Sequence, residues 1–339
     1  MKNLKIGVVG ATGMVGQTFL GLLDESQLQI TELRPFASTN SEGLEVSCQS
    51  QSWKIQSLHD GCFKGLDVVF FSSGDDISKE CAPKAVQDGA YAVDNSAAFR
   101  MSDEYPLVVP EINGHLVDQL TKPTIIANPN CSTIQLVVAL NPLAKKFGLE
   151  AVKVATYQAV SGGGKAAQEE LIKQTSAQLT GGPEVPHEVF PHTIAFNALP
   201  QIGGFNDQGF CSEEMKIMRE TRKILSLPDL PVSAFTVRVP VLNVHSEAVW
   251  VTLKNDTSSL EEVLKTLGDG PGLQLVKQAQ PEEYPHPLSV SGKHPVFVGR
   301  VHQDFYDSKT YLMWVVADNI LKGAALNGLQ IAQKIFQDR

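Results

Sequence analysis

Apolar runs of strand length that stop at glycine or small polar residues, each followed by apolar positions three and four apart, organise the N-terminal part of the chain. Leu4–Val9 ends at Gly10-Ala-Thr-Gly13-Met-Val-Gly16, and Phe19, Leu20, Leu22 and Leu23 then form one helical face. A second strand is expected near Ile30–Phe36. A third, Leu66–Phe71, runs through the polar turn Ser72–Asp76 into a helix around Ile77–Asp88. Tyr91–Ser96 repeats strand and polar turn, and Thr124–Ala127 is the end of another buried strand. Strands alternating with helices predict a parallel sheet whose ligands bind at the carboxyl ends of the strands.

The helix after Thr124–Ala127 carries Ile134, Val137, Val138 and Leu140 on one face, so Cys131 in Asn128-Pro-Asn-Cys131-Ser-Thr-Ile-Gln135 lies at a strand-to-helix turn. Free N–H groups and the positive end of a helix dipole there favour a thiolate and can hold a developing oxyanion. Cysteine is also a common small core residue, although the two asparagines beside it sit poorly with a plain core position. Asn141-Pro142 is expected to kink or interrupt this helix.

Beyond it the pattern changes. Val152–Gln158 alternates like a strand covered on one face and breaks at Ser161-Gly162-Gly163-Gly164, a place for close backbone approach to a ligand or simply a flexible turn. A helix is expected from Gln168 to Gln178, then a Gly/Pro-rich surface or inter-subunit excursion over Thr180–His192. Ser212 is the expected N-cap of a helix through Glu220 on which Glu213 and Lys216 share a face, as a solvated ion pair also would. In Phe235–Glu247, Arg238 and His245 would face opposite sides of one unbroken strand, but Pro240 breaks it and lets both reach one cleft. A short helix at Glu261–Leu267, strands at Val296–Val301 and Tyr311–Ala317, and an amphipathic segment Ile320–Phe336 complete the chain.

At 339 residues the chain exceeds one ordinary core, and two domains are expected. The net charge of -9 excludes a general binder of nucleic acid or anionic membrane while leaving room for a local basic pocket. No apolar run has the length of a membrane span, and Met1–Ile6 leads into a strand and not a signal peptide, so a cytoplasmic protein is expected. Five scattered cysteines suit free thiols in a reducing compartment, and neither they nor the eight dispersed histidines suggest a metal site. Arg100 is either an anion binder or a solvated surface arginine.

The glycines at Gly10, Gly13 and Gly16 stand where a dinucleotide-binding sheet brings its backbone against a pyrophosphate, although turn-forming glycines alone explain the same residues. After the second strand, Ala37–Ser41 is hydroxyl-rich, with no carboxylate before Glu42 to take a ribose hydroxyl. That leaves room for a 2′-phosphate but offers no arginine or lysine to it, which favours NADP over NAD and keeps NAD possible.

With these residues in hand, the whole chain resembles the aspartate-β-semialdehyde dehydrogenases. The likeness rests on Gly10–Gly16, Asn128–Gln135, Thr156–Gly162, Arg238–Ser246, and Trp314–Asn319 followed by Leu321–Ala325. It implies Cys131 as nucleophile, His245 as general acid/base and Gln158 as the residue orienting substrate or thiol. It further implies Arg238 and Glu213 on the amino acid's carboxylate and ammonium, and Arg100, Asn130 and Lys216 on phosphate. The dinucleotide is expected on Gly10, Thr12, Gly13, Met14, Val15, Ser38, Thr39, Ser41, Ser73, Gly74, Ser161, Gly162 and Asn319.

The implied fold is a Rossmann-type, doubly wound α/β domain at 1–131, completed by 319–339. An α+β catalytic and dimerisation domain follows at 132–318, in a homodimer. The implied reaction interconverts L-aspartyl-4-phosphate with L-aspartate-4-semialdehyde and phosphate through a cysteine thioester, in lysine, threonine, methionine and diaminopimelate biosynthesis. N-acetyl-γ-glutamyl-phosphate reductase is the nearest alternative, but its cysteine usually follows glycine, and this one follows Asn130. A cysteine hydrolase would leave the glycine fingerprint without purpose, and a non-catalytic dinucleotide-binding paralogue would need neither Cys131 nor His245.

Overall fold

The computed structural model describes residues 3–254, 259–277 and 280–336. Parts of the segments expected above, namely Met1, Lys2, 255–258, 278, 279 and 337–339, lie outside the described residues. Two compact units divide the chain, one formed by Met1–Asn130 with Ala324–Arg339 and the other by Cys131–Gly323.

The first unit runs β1 (Asn3–Val9), α1 (Met14–Glu25), β2 (Gln29–Phe36), β3 (Glu45–Cys48), β4 (Gln51–Lys54), β5 (Val68–Phe71), α2 (Asp75–Gln87), β6 (Tyr91–Asp94), α3 (Pro110–Asn113), α4 (His115–Asp118) and β7 (Ile125–Ala127). Its sheet has the order β2-β1-β5-β6-β7 with every pair parallel, the expected α/β class. Every residue of β5, β6 and β7 is buried, because a parallel sheet covered on both faces needs apolar residues on both. The chain leaves β1 towards β2 on one side and returns to β5 on the other. That switch opens the crevice at the carboxyl end of β1 where doubly wound sheets bind ligands.

The β3–β4 hairpin was not visible in the hydrophobic pattern. Its turn is Gln49-Ser50, both with positive φ (51° and 59°), where the recognisable signal is Asn-Gly.

The second unit runs α5 (Cys131–Phe147), β8 (Leu149–Gln158), α6 (Lys165–Thr180), α7 (Ser212–Leu225), β9 (Val232–Arg238), β10 (His245–Leu253), α8 (Leu260–Gly268), β11 (Leu273–Leu275), α9 (Pro287–Val290), β12 (Val296–Gln303) and β13 (Thr310–Ala317). Its mixed sheet has the order β11-β12-β13-β10-β8-β9. Helix α5 packs along β8, β10, β12 and β13, with α7 against β9 and α8 against β11 and β12. Pro142 does not interrupt α5, which continues to Phe147. The hydrogen bond that a proline removes is outweighed by a helix buried along most of its length, including Leu136, Val137, Leu140 and Leu143. The N-cap of α7 is Cys211 and not Ser212, with the Glu214 carboxylate accepting from the Cys211 N–H at 2.9 Å.

One face of this sheet holds exposed rings. Ala155, Phe235, Ala248 and Trp314 form one cross-strand row and Lys153, Trp250 and Leu312 the next. Tyr157 lies 5.4 Å from Trp314, ring to ring.

A single π-helical turn at Leu321–Ala325 leads into α10 (Leu326–Phe336), which packs on α1, α3, α4 and β6 of the first unit. Asn327 fixes it by donating to the Val108 carbonyl at 3.0 Å and to Asn128 Oδ1 at 2.6 Å. A Cβ at Gly328 would stand 2.3 Å from Phe70 Cε2. Phe70 cannot yield easily, because its ring is stacked flat on Phe19 at 4.0 Å. Gly328→Ala is therefore expected to destabilise: overpacking of about 1–3 kcal/mol exceeds the ~1 kcal/mol that alanine gains in a helix. Denaturant melts of the two proteins check this, and an alanine variant as stable as the parent would show that the ring gives way.

Candidate active site

Cys131 is the first residue of α5 and half-buried, so its sulfur stands at the positive end of a 17-residue helix. The residue behind it is Gly323, where a Cβ would lie 2.8 Å from Cys131 Cβ. A side chain at position 323 would press on Cys131.

Three neighbouring strands deliver the polar side chains. The strand β8 ends in Gln158, whose Nε2 donates to Glu213 Oε1 at 3.2 Å and whose Oε1 accepts from Thr156 Oγ1 at 3.1 Å. Parallel to it, β9 ends in Arg238, paired in register with Gln158. His245 opens β10 on the opposite side of β8. Arg238 and His245 thus stand on two separate strands, as the break at Pro240 implied. The carbonyl of Ala159, just past the end of β8, accepts from Arg238 Nη1 at 2.6 Å. The N–H of the same residue donates to His245 Nδ1 at 3.0 Å. In front of both lies Gly162, where a Cβ would be 2.9 Å from Arg238 Nη1 and 3.3 Å from His245 Nε2.

Burial pushes the Arg238 guanidinium below its ordinary pKa, while the charges of Glu213 and Cys131 push it back up. Arg238, Glu213 and Cys131 therefore form one electrostatic group, in which a negative sulfur is favoured by the cation. His245 is fully buried; burial drives its imidazole well below the usual value, the Arg238 charge adds to this, and the Val244 carbonyl opposes by less. Val244 itself has φ +79°, a strained conformation for a β-branched residue. Its N–H is held by Asn319 Oδ1 at 2.9 Å, and the same oxygen accepts from Ser161 Oγ at 3.1 Å. Glu213 on α7 also pairs with Lys216 Nζ at 3.3 Å, leaving the lysine partly exposed.

Two other sequence candidates belong to the first unit. Arg100 is buried and donates from Nη2 to the Asn95 carbonyl at 2.9 Å, which excludes a solvated surface arginine. Asn130 is buried and immediately precedes Cys131.

The glycine turn also lies in the first unit. Gly10 and Ala11 both donate to the Phe36 carbonyl, at 2.9 and 3.0 Å. A Cβ at Gly16 would stand 2.2 Å from the Gly10 carbonyl oxygen, and one at Gly10, where φ is +81°, would strike Ser72 at 2.8 Å. Gly13 caps α1 with no side-chain hydrogen bond, so the first N–H groups of the helix, at Met14 and Val15, are left to an external acceptor. Thr12 is exposed beside them. At the adjacent end of β5, Ser73 Oγ is buried without a hydrogen-bond partner among the described residues, and Gly74 caps α2. These residues fit a dinucleotide pyrophosphate.

In the turn after β2, Ser38 and Thr39 are exposed and Ser41 is half-exposed. Glu42 accepts from Ser57 Oγ at 2.5 Å, and Arg34 is occupied by Glu32 at 2.6 Å and by the Cys62 and Lys64 carbonyls. Among the described residues no group of His, Cys, Asp and Glu could hold a metal ion.

Two family profiles match the chain. Residues 5–120 match "Semialdehyde dehydrogenase, NAD binding domain", and residues 140–322 match "Semialdehyde dehydrogenase, dimerisation domain". The aspartate-semialdehyde dehydrogenase of Aquifex aeolicus is 45% identical over 335 residues, covering 98% of both chains. That of Bacillus subtilis is 42% identical over 341 residues, again with 98% of each covered. The chain belongs to the aspartate-semialdehyde dehydrogenase family. The crystal structure of aspartate semialdehyde dehydrogenase II from Vibrio cholerae, complexed with ASA, superposes with a TM-score of 0.96 at 39% identity, covering 100% of this chain and 99% of that one. These likenesses favour the aspartate-semialdehyde dehydrogenases over N-acetyl-γ-glutamyl-phosphate reductase.

The structure adds residues that the sequence did not single out. Ala159 could not be found from sequence, because its role is a backbone one; Gly162 was expected on the dinucleotide, and its closeness to Arg238 and His245 was not foreseen. Glu247, two residues along β10 from His245, is fully buried with neither carboxylate oxygen hydrogen-bonded among the described residues, and burial drives its pKa well up. The Gln135 amide on α5, which faces it without closing a hydrogen bond, lowers it by less. Burial thus favours the protonated form of this carboxyl.

Two outcomes are expected. Gly162→Ala should lower kcat/KM by about 10²-fold with little change in thermal stability, since its Cβ strikes two functional groups and no core; unaltered kinetics would show that both groups shift without cost. Folding raises the Glu247 pKa, so wild-type stability is complete below the ordinary carboxylate range and falls as pH rises through the folded value. Glu247→Gln cannot ionise, and its stability relative to wild type should improve between about pH 5 and pH 8. A relative loss over that interval in thermal melts would show that the buried carboxylate is charged.

Proposed function

We propose that the protein interconverts L-aspartyl-4-phosphate with L-aspartate-4-semialdehyde and phosphate, using a nicotinamide dinucleotide, in the biosynthesis of lysine, threonine, methionine and diaminopimelate. The observation that carries this reading is Cys131 at the start of α5, in one electrostatic group with Arg238 and Glu213. Arg238 and His245 are in turn both held by Ala159.

In the oxidative direction the Cys131 thiolate attacks the aldehyde carbon, and His245 serves the carbonyl oxygen as the carbon becomes tetrahedral. Loss of hydride from that carbon leaves a thioester on Cys131. Phosphate then attacks the thioester and expels the thiolate. Gln158, anchored between Thr156 and Glu213, orients the reacting thiol and substrate. Arg238 takes the substrate's carboxylate and Glu213 its ammonium, and Arg100, Asn130 and Lys216 are assigned to phosphate. A dinucleotide bound on Gly10, Thr12, Gly13, Met14, Val15, Ser73 and Gly74, with Ser161, Gly162 and Asn319, supplies the hydride acceptor when oxidised.

NADP is favoured over NAD, with NAD possible. With Glu42 bonded to Ser57, the turn after β2 offers no free carboxylate to a ribose, and its hydroxyls at Ser38, Thr39 and Ser41 suit a 2′-phosphate. The exposed ring-bearing face of the second unit's sheet, with Phe235 57% and Tyr157 42% exposed, supports a homodimer, in keeping with the name of the profile that matches 140–322. Among the described residues no helix is long and apolar enough to cross a membrane, and the cysteines are all unpaired, which supports a cytoplasmic place.

The test is reduction of the dinucleotide with aspartate semialdehyde, followed by absorbance with and without phosphate. Turnover should require phosphate and be faster with NADP; turnover independent of phosphate would remove the acyl-phosphate product. Cys131→Ser should lose at least about 10³-fold in kcat with dinucleotide affinity nearly unchanged. Thr39→Asp should lower kcat/KM for NADP by at least about tenfold and spare NAD, whereas equal losses would place the adenosine elsewhere.

A further inference from the structure

The Gly/Pro-rich segment after α6 is tied down at two points. Glu170 and Gln174, one helical turn apart on α6, are both buried and reach out of the helix to its backbone. Glu170 Oε2 accepts from the Glu188 and Val189 N–H groups, each at 2.7 Å. Gln174 Oε1 accepts from the N–H groups of Ile194 and Ala195, at 2.9 and 3.3 Å. Burying a carboxylate and an amide without those bonds would be costly, so the segment is held in place on both sides of Phe190. The Phe190 ring packs on the cluster of Val160, Ala167, Leu171, Ile194, Ala195 and Leu199. It also stands over Arg238, with the guanidinium carbon 5.8 Å from the ring centroid. A cation at that distance is attracted by the π face.

The contact matters because of what Arg238 has left to offer. Among the described residues its guanidinium makes one hydrogen bond, from Nη1 to the Ala159 carbonyl at 2.6 Å. A guanidinium carries its N–H donors in a single plane, and a carboxylate meets the edge of that plane with paired, parallel hydrogen bonds. A tilt of the plane therefore costs the second bond of the pair. The Ala159 carbonyl fixes only one corner of the group, about which it could still swing. We propose that Phe190 is a positioning residue whose ring holds the Arg238 guanidinium so that its uncovered edge meets the substrate's carboxylate. The proposal rests on the reading of Arg238 as the carboxylate's partner. The ring also keeps water from one face of the cation, which strengthens the attraction that remains at the edge. Bond making takes place at Cys131, so the influence of Phe190 falls on substrate binding and not on the chemical step.

Two variants separate this role from plain packing. Phe190→Leu keeps an apolar anchor for the segment and removes the π face, whereas Phe190→Tyr keeps both. In the oxidative direction the leucine variant should raise KM for aspartate semialdehyde by about 3- to 30-fold, with kcat and the KM values for phosphate and dinucleotide unchanged. The tyrosine variant should match the wild type. An unchanged KM for the semialdehyde in the leucine variant, equal rises for all three substrates, or a tyrosine variant as impaired as the leucine one overturns the proposal. A second readout is independent of the reaction. Cys131 is half-buried and the other four cysteines are buried, so alkylation marks this thiol. Iodoacetate brings a carboxylate to it and iodoacetamide does not, and iodide leaves from either as the C–S bond forms. The ratio of the two rates should fall at least about threefold in Phe190→Leu and hold in Phe190→Tyr; equal ratios in all three proteins overturn the proposal. Absence of phosphate-dependent turnover in the wild type would overturn the reaction reading alone, because the alkylation ratio reports on the guanidinium either way.

Discussion

One peptide unit constrains the catalytic half of this molecule. Ala159 follows directly on β8 and is free of the ladder, so its carbonyl and N–H turn outward, one to Arg238 and the other to His245. Neither partner could be buried without it. A guanidinium and an imidazole taken out of water lose hydration that only close polar contacts restore. The backbone supplies these contacts without rotamer entropy, which makes the geometry stiff. It also explains why three strands must end at one level: β8 provides the peptide, while β9 and β10 bring the two side chains to it.

An acidic chain can therefore hold a buried cation at this site. Net charge is an average over a surface on which isolated charges are screened, whereas Arg238 is desolvated and answers chiefly to Glu213 and Cys131. The arrangement is local, and the surplus of surface carboxylates has little hold on it.

Much of this was legible in the sequence where chemistry and pattern coincided. Strand-then-glycine at Gly10–Gly16 and strand-then-helix at Cys131 are signals of backbone geometry, and the fold class followed from their alternation. Other features escaped because their cause is tertiary. The Gln49-Ser50 turn has ordinary residues in left-handed conformations. Pro142 stays helical because burial outweighs a local preference, and Cys211 caps α7 in place of the more obvious Ser212. Glu247 was not singled out, and Gln135 entered only as the end of Asn128–Gln135, because only the fold removes them from water. The break at Pro240 was readable, but the strain it leads into at Val244 was not.

Val244 places two demands in opposition. Its left-handed backbone asks for glycine, a conflict worth about 1–3 kcal/mol. Its side chain fills a cluster with Val290, Phe297 and Val316, and such burial is worth about 1.5–3 kcal/mol. Glycine would relax the backbone and leave a hole, and any bulkier residue would keep the strain and crowd the cluster. No standard side chain satisfies both, so the position preceding the imidazole is a local optimum from which each single substitution leads downhill. The evolutionary freedom of this segment is narrow for reasons of mechanics, independently of whatever selection acts on the reaction.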